Sequence, residues 1–140
     1  MHWRDITDFV PILFSGALMS IVITLGCLVL STVLGLVWAL LKMSRHPGVV
    51  TVVSAMINVV RGLPMIVLLF YIYFVLPDVG IQMTALEASV IGLGFGYSTY
   101  VAEIIRSGIE AVDPGQFEAA QSIGMGRVKT MYRVILRESV

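Results

Sequence analysis

Glu103, Arg106 and Glu110 stand three and four residues apart, so on a helix they share one face and Arg106 can pair with either carboxylate. They close an uncharged stretch, Ala88 to Ala102. Two readings fit: a ladder that neutralises itself at a membrane boundary, or a charged ring lining a pathway, a frequent role for ionisable groups at membrane depth. Ser98 or Ser107 beside Glu103 would be the nucleophile and base of an intramembrane enzyme, the rival reading of a different class. No other catalytic pattern is present. The chain lacks a Gly-x-x-x-x-Gly-Lys-[Ser/Thr] loop to cradle ATP phosphates, and it lacks His-Glu-x-x-His. His2 and His46 are isolated and read as solvated. Cys27 is the single cysteine, which excludes an internal disulfide and reads as a small packing residue rather than a metal ligand.

A second constellation lies further on. Asp113-Pro114-Gly115-Gln116 has the pattern of a helix start, with Asp113 as cap, Pro114 in the first helical position and Gln116 placed for a capping box. The predicted helix occupies 114–124, with Gly124 as its left-handed stop. One face carries Phe117, Ala120 and Gly124, while Glu118 and Ser122 point elsewhere. A capped, two-turn helix with an exposed aromatic is a rigid knob suited to a groove on a partner. Val128, Met131, Tyr132 and Ile135 then repeat at helical spacing and predict a second amphipathic helix.

These groups are positioned by apolar elements. Of the 140 residues 58% are hydrophobic and 13% charged, with a mean hydropathy of +0.95; soluble domains carry about 25% charged residues. Phe9 to Leu41 holds no charge and would reach about 50 Å as a helix, well beyond the ~30 Å hydrocarbon core. The expected fold is an all-α integral membrane protein with spans at 16–41, 61–77 and 84–109 and a short cytoplasmic helix. Pro11 marks an interfacial lead-in, and Lys42 to Gly48 a cytoplasmic turn. Val49–Val60 is expected to lie along the cytoplasmic face, with the next span starting near Arg61, whose side chain reaches the lipid headgroups. Pro64 suits the first turn of that span. Pro77 to Gly80 is an outer turn, and Gly92, Gly94 and Gly96 allow close helix packing. Eight of the nine basic residues follow the first or third apolar run, so the N-terminus is expected outside and the basic zones in the cytoplasm. The first run is too long, and lacks the flanks, to be a cleaved signal peptide.

Glu118-Ala119-Ala120 followed by Gly124 resembles the EAA loop of ABC importer permeases. Arg61-Gly62-Leu63-Pro64, Leu69-Phe70-Tyr71-Ile72-Tyr73-Phe74, Tyr100-Val101-Ala102-Glu103-Ile104-Ile105-Arg106 and Gly108-Ile109 are similar to the polar amino acid permease subfamily, as is Gly16 with Ser20 and Thr24. The likeness covers about residues 10–136. It implies an inner-membrane, multi-pass permease subunit that is not itself an enzyme. Its implied partners are an ATP-binding cassette subunit that holds the ATP, a second permease subunit, an extracytoplasmic solute-binding protein and membrane lipid, with no nucleic acid. In that reading Phe117, Glu118, Ala119, Ala120 and Gly124 form the ATPase-coupling joint, while Arg61, Gly62, Pro64, Glu103 and Arg106 are structural or pathway residues. No cofactor or metal is implied for the chain itself. The family pattern has about five spans and continues with a proline after a stretch like Ile135-Leu136. The expectation is therefore the N-terminal part of a permease domain, 1–140, with a truncated, transport-incompetent fragment that only binds partner helices as the alternative.

Overall fold

A computed structural model describes the backbone of residues 3–135, and the side chains of 9–126 and 129–134. Among the described residues every regular element is helical. In lipid a backbone without water must satisfy its own polar groups, which selects helices from runs this apolar.

Helix α1 covers Trp3–Lys42. It passes through Pro11 without a break, so the expected lead-in and the crossing belong to one continuous helix. A proline removes only one donor, and a long apolar helix continues past it when nothing nearby offers another fold. Ser15, Ser20, Thr24 and Ser31 donate their hydroxyls to carbonyls three or four residues back, so these polar groups are satisfied within α1.

Helix α4, Ala85–Glu110, is the second element long and apolar enough to cross a membrane. It opens on a capping box. The Glu87 amide donates to Thr84 Oγ1 at 3.3 Å, and the Thr84 amide donates to Glu87 Oε2 at 2.8 Å. The sequence reading missed this box, although Thr-x-x-Glu is its signature.

α1 and α4 form the principal helix contact, and they run parallel. A Cβ on Gly26 would meet Val90, one on Gly94 would meet Leu30, and one on Gly35 would meet Val101, so positions advance together along both helices. The last of these approaches is the tightest, with Val101 Cγ1 at 2.6 Å and the Ser98 carbonyl oxygen at 3.1 Å from the added carbon. Small residues permit such closeness where lipid supplies no hydrophobic force between helices.

Helix α2, Pro47–Gly62, begins at Pro47 and buries Val53, Ile57 and Val60 at i, i+4 and i+7. Val53 and Ile57 pack with Ala102 of α4, flanked by Trp38, Leu41 and Met56. At Leu63–Pro64 the chain bends by 100°. Leu63 is extended, with φ −88° and ψ 136°, as expected of a residue that precedes proline. Pro64 is the N-cap of the next helix rather than a member of its first turn, and its carbonyl accepts from Val67 and Leu68.

Helix α3 therefore starts at Met65, not at residue 61. It runs Met65–Phe70, widens into a π-helical turn at Tyr71–Val75 and tightens to 3-10 geometry at Leu76–Val79. Gly80 ends it at φ 85°, donating to Pro77 O while Ile81 donates to Leu76 O, the paired bonds of a Schellman motif. α3 lies antiparallel to α4, because Met65 and Leu68 approach Gly96 while Leu69 and Ile72 approach Gly92. Gly94, between them, faces α1 instead. The fold is all-α among the described residues: α1 and α4 are long and apolar enough to cross a membrane, and the bent α2–α3 pair makes a third span if it counts as one.

The Gly35 contact yields a test. Gly35→Val should lower folded protein in the membrane, because overpacking costs about 1–3 kcal/mol and the neighbouring Ser98 oxygen belongs to the backbone. Gly16→Ala, with nothing within 4 Å, should leave the amount unchanged. Equal thermal stability of the two variants would show that the α1–α4 approach does not limit folding.

Candidate functional site

One end of the bundle gathers the charges. Lys42, the last residue of α1, donates to Glu103 Oε1 of α4. Arg106 Nε donates to Glu103 Oε2 at 3.0 Å, and its Nη1 donates to Glu110 Oε2. Side-chain exposure rises along the chain of contacts, from 14% at Lys42 through 21% at Glu103 and 31% at Arg106 to 55% at Glu110. Arg106 thus pairs with both carboxylates, not one. The sequence placed Lys42 in a turn and missed its pairing, because that pairing depends on the parallel packing of two distant helices.

The serines near Glu103 are engaged elsewhere. Ser98 Oγ accepts from Trp38 Nε1 at 3.2 Å and donates to Phe95 O at 2.6 Å. Ser107 Oγ donates to Ile104 O at 3.0 Å. Both Glu103 oxygens go to cations, so no serine–carboxylate pair exists here to activate a nucleophile. Among the described residues no three His, Cys, Asp or Glu side chains converge as metal ligands.

Arg61 sits in the last turn of α2, not at the start of a span, and its guanidinium lies 4.8 Å from the centroid of the Tyr100 ring on α4. The cation lies over an aromatic face. Gly62 and Pro64 flank the bend and are exposed. Arg61 thus ties the bend to α4, whereas Glu103 ties α1 to α4 through Lys42.

Helix α5, Pro114–Ser122, leaves α4 after a short turn. Asp113 Oδ1 accepts from the Gly115 amide at 2.6 Å. That bond closes two residues on, not three, and no reciprocal bond from the Gln116 side chain accompanies it among the described residues. Ala120 is 4% exposed and Phe117 half-buried, while Glu118 and Ala119 are exposed. Phe117 is therefore partly covered by its own chain rather than projecting fully. The helix ends at Ser122, two residues before Gly124. Gly124 takes φ 76°, its amide donates to Gln121 O at 2.9 Å, and the Met125 amide donates to Ala120 O at 3.0 Å. The exit is a complete Schellman motif, and Gly124 has open space around it.

Helix α6, Arg127–Thr130, opens into a π-helical turn at Met131–Ile135. The wider turn shifts the phase of the predicted amphipathic face. Tyr132 is 76% exposed, and Thr130, off that face, is buried with its hydroxyl on Gly126 O. The side chains of Val128 and Ile135 lie outside the described residues.

Two apolar cavities of about 300 and 280 Å³ open between helices. The larger is lined by Leu69, Tyr73 and Phe74 of the α3 segment with Ala88 and Ser89 of α4. The smaller is lined by Thr24, Cys27 and Ser31 of α1 with Leu93 and Tyr97 of α4. Cys27 is half-buried there, as a packing residue would be.

Residues 31–140 match the family described as binding-protein-dependent transport system inner membrane component. A probable amino-acid ABC transporter permease protein of Sinorhizobium fredii is 35% identical over 133 residues, which are 95% of this chain and 58% of that protein. The L-cystine transport system permease protein of Bacillus subtilis is 34% identical over 94% of this chain and 56% of its own length. Among solved structures, an amino acid ABC transporter crystallised with histidines superposes with a TM-score of 0.87 at 39% identity, over 99% of this chain and 65% of that one. The inward-facing MetNI methionine ABC transporter gives a TM-score of 0.78 at 25% identity, over 94% and 64%. The chain thus spans about three fifths of the length of these relatives.

Arg106 is the shared cation of two carboxylates, so Arg106→Ala should leave Glu110 unpaired and Glu103 held by Lys42 alone. Folded protein in the membrane should fall slightly, since Glu103 keeps Lys42 and part-exposed pairs are worth about 1 kcal/mol or less. Arg106→Lys, which keeps the charge and loses the fork, should fall less. Unchanged abundance of Arg106→Ala, with altered substrate preference in the transporter, would assign the ladder to the pathway.

Proposed function

The chain belongs to the binding-protein-dependent transport system inner membrane components, and on that premise we propose that it is a permease subunit of an ATP-driven importer of polar amino acids. The observation that carries this reading is α5: a nine-residue helix, capped at both ends, seated through Ala120 and presenting Glu118 and Ala119 outward beside the charged end of α4. A partner with an ATP-binding cassette holds the nucleotide, and α5 seats in its groove. The exposed Ala119 lets the joint approach closely, and Glu118 offers a charge-assisted hydrogen bond across it. Gly124 turns the chain sharply away. A second permease subunit completes the pathway, and an extracytoplasmic solute-binding protein delivers the amino acid. The printed names of the relatives, amino-acid and L-cystine permeases, support the substrate class.

The parallel pair supports the sidedness expected from the basic residues. The C-terminal ends of α1 and α4 meet through Lys42 and Glu103, so α5 lies on the same side as Lys42 and Arg45. The positive-inside rule puts that side in the cytoplasm and the N-terminus outside. In a Cys27→Ala background, cysteines at Asp8 and Gln116 should react with impermeant reagents from opposite faces; reaction of both from outside would remove the basis of the coupling role.

Gly124→Val must adopt a backbone that β-branched residues resist, at about 1–2 kcal/mol for the left-handed conformation. It should insert normally, yet lose co-purification with the ATP-binding subunit or hydrolyse ATP without transport. Glu118→Ala should weaken docking less, because one hydrogen bond to a charged group is worth roughly 1.5–3 kcal/mol and its neighbours remain. Normal docking and transport in both variants would reduce α5 to a connector.

A further inference from the structure

Among the described residues only two polar contacts tie α1 to α4: Trp38 Nε1 to Ser98 Oγ, within the bundle, and Lys42 to Glu103, at its end. The second is built asymmetrically. Glu103 uses one oxygen for Lys42 and the other for Arg106, and Arg106 is itself shared with Glu110. If the end of α1 moves away, Glu103 keeps a cation from its own helix. Lys42, at the helix end, regains water and nearby carbonyls. The contact between helices can therefore break without stranding a charge.

Position gives this asymmetry a use. Glu110 is the last residue of α4, and Asp113, three residues on, caps α5. On the other side, Lys42 ends α1 and is followed by α2, whose Val53 and Ile57 pack on Ala102 beside Trp38 and Leu41. Displacement of α5 acts on α4 at the residues that hold the latch, and release of the latch frees α1 together with the turn into α2. We propose that the Lys42–Glu103 pair is a releasable latch, closed in the conformation described, which opens when a partner displaces α5 and so passes that movement from α4 to α1. Glu103 and Lys42 act as positioning residues. This inference rests on the coupling role of α5 for its cause, but the latch itself is a property of the chain.

The gentle variant is Lys42→Met, which leaves the Glu103–Arg106–Glu110 contacts in place; Lys42→Arg keeps the cation. In a Cys27→Ala background, spin labels at the exposed positions Arg45 and Ser107 would report the separation of the two helix ends for the full chain in lipid nanodiscs. The parent and Lys42→Arg should give one short distance. Lys42→Met should lower the ratio of short to long distances roughly tenfold, the size set by one hydrogen bond between charged groups. In the assembled transporter Lys42→Met should retain the ATP-binding subunit but move fewer amino acids per ATP, with Lys42→Arg restoring the ratio. An unchanged distance in Lys42→Met, or an equal shift in Lys42→Arg, overturns the latch. A shifted distance with normal transport per ATP overturns its part in coupling. If the parent never retains an ATP-binding subunit while the distance shifts as stated, the latch stands and the coupling role of α5 fails.

Discussion

The close parallel contact of α1 and α4 is the constraint on which the rest depends. In a bilayer two apolar helices gain nothing by leaving lipid for each other, so their association rests on packing at short range. Gly26, Gly35 and Gly94 supply it by leaving room for Val90, Val101 and Leu30. Once the axes are that near, Trp38 reaches Ser98 and Lys42 reaches Glu103, and the polar contacts become consequences of the apolar fit. α3 is added on another face of α4 through Gly92 and Gly96. A single helix thus carries glycines for two neighbours on alternating residues.

That arrangement leaves the charged end of α4 as a junction. Its Glu103 holds Lys42 at the end of α1, its Ala102 receives α2, its Tyr100 receives Arg61 from the bend, and its exit leads into α5. The larger cavity lies instead toward the start of α4, between Ala85–Ser89 and the aromatic part of the α3 segment. The charged residues and the larger cavity are therefore at opposite ends of one helix. A movement imposed at one end can change the other only by tilting or rotating that helix against α1 and α3.

Features governed by chemistry within a few residues were legible in the sequence. The uncharged runs gave helices, Asp113 and Gly124 gave the ends of α5, and the clustered glycines gave close packing. Which helix each glycine meets was not legible, since Gly94 and its neighbours two residues away face different partners. The Lys42–Glu103 bond joins residues 61 positions apart and follows from helix direction, which local patterns do not encode. The π-helical turns at Tyr71–Val75 and Met131–Ile135 change the number of residues per turn, so any face drawn with a constant period drifts there. Tyr132 was misplaced for that reason. At Gln116 the side chain was of the right type, but Asp113 had already bonded to the Gly115 amide, and the box did not form.

The separation of Lys42 from Glu103 also sets an order of events during synthesis. At the usual 5–20 residues per second, the 61 residues between them take roughly 3–12 s to translate. For that interval α1 is already made while its counter-ion is not, and its small-residue face meets lipid or the insertion machinery instead of α4. The nascent protein passes through a stage in which its longest helix has neither its packing partner nor its charge partner.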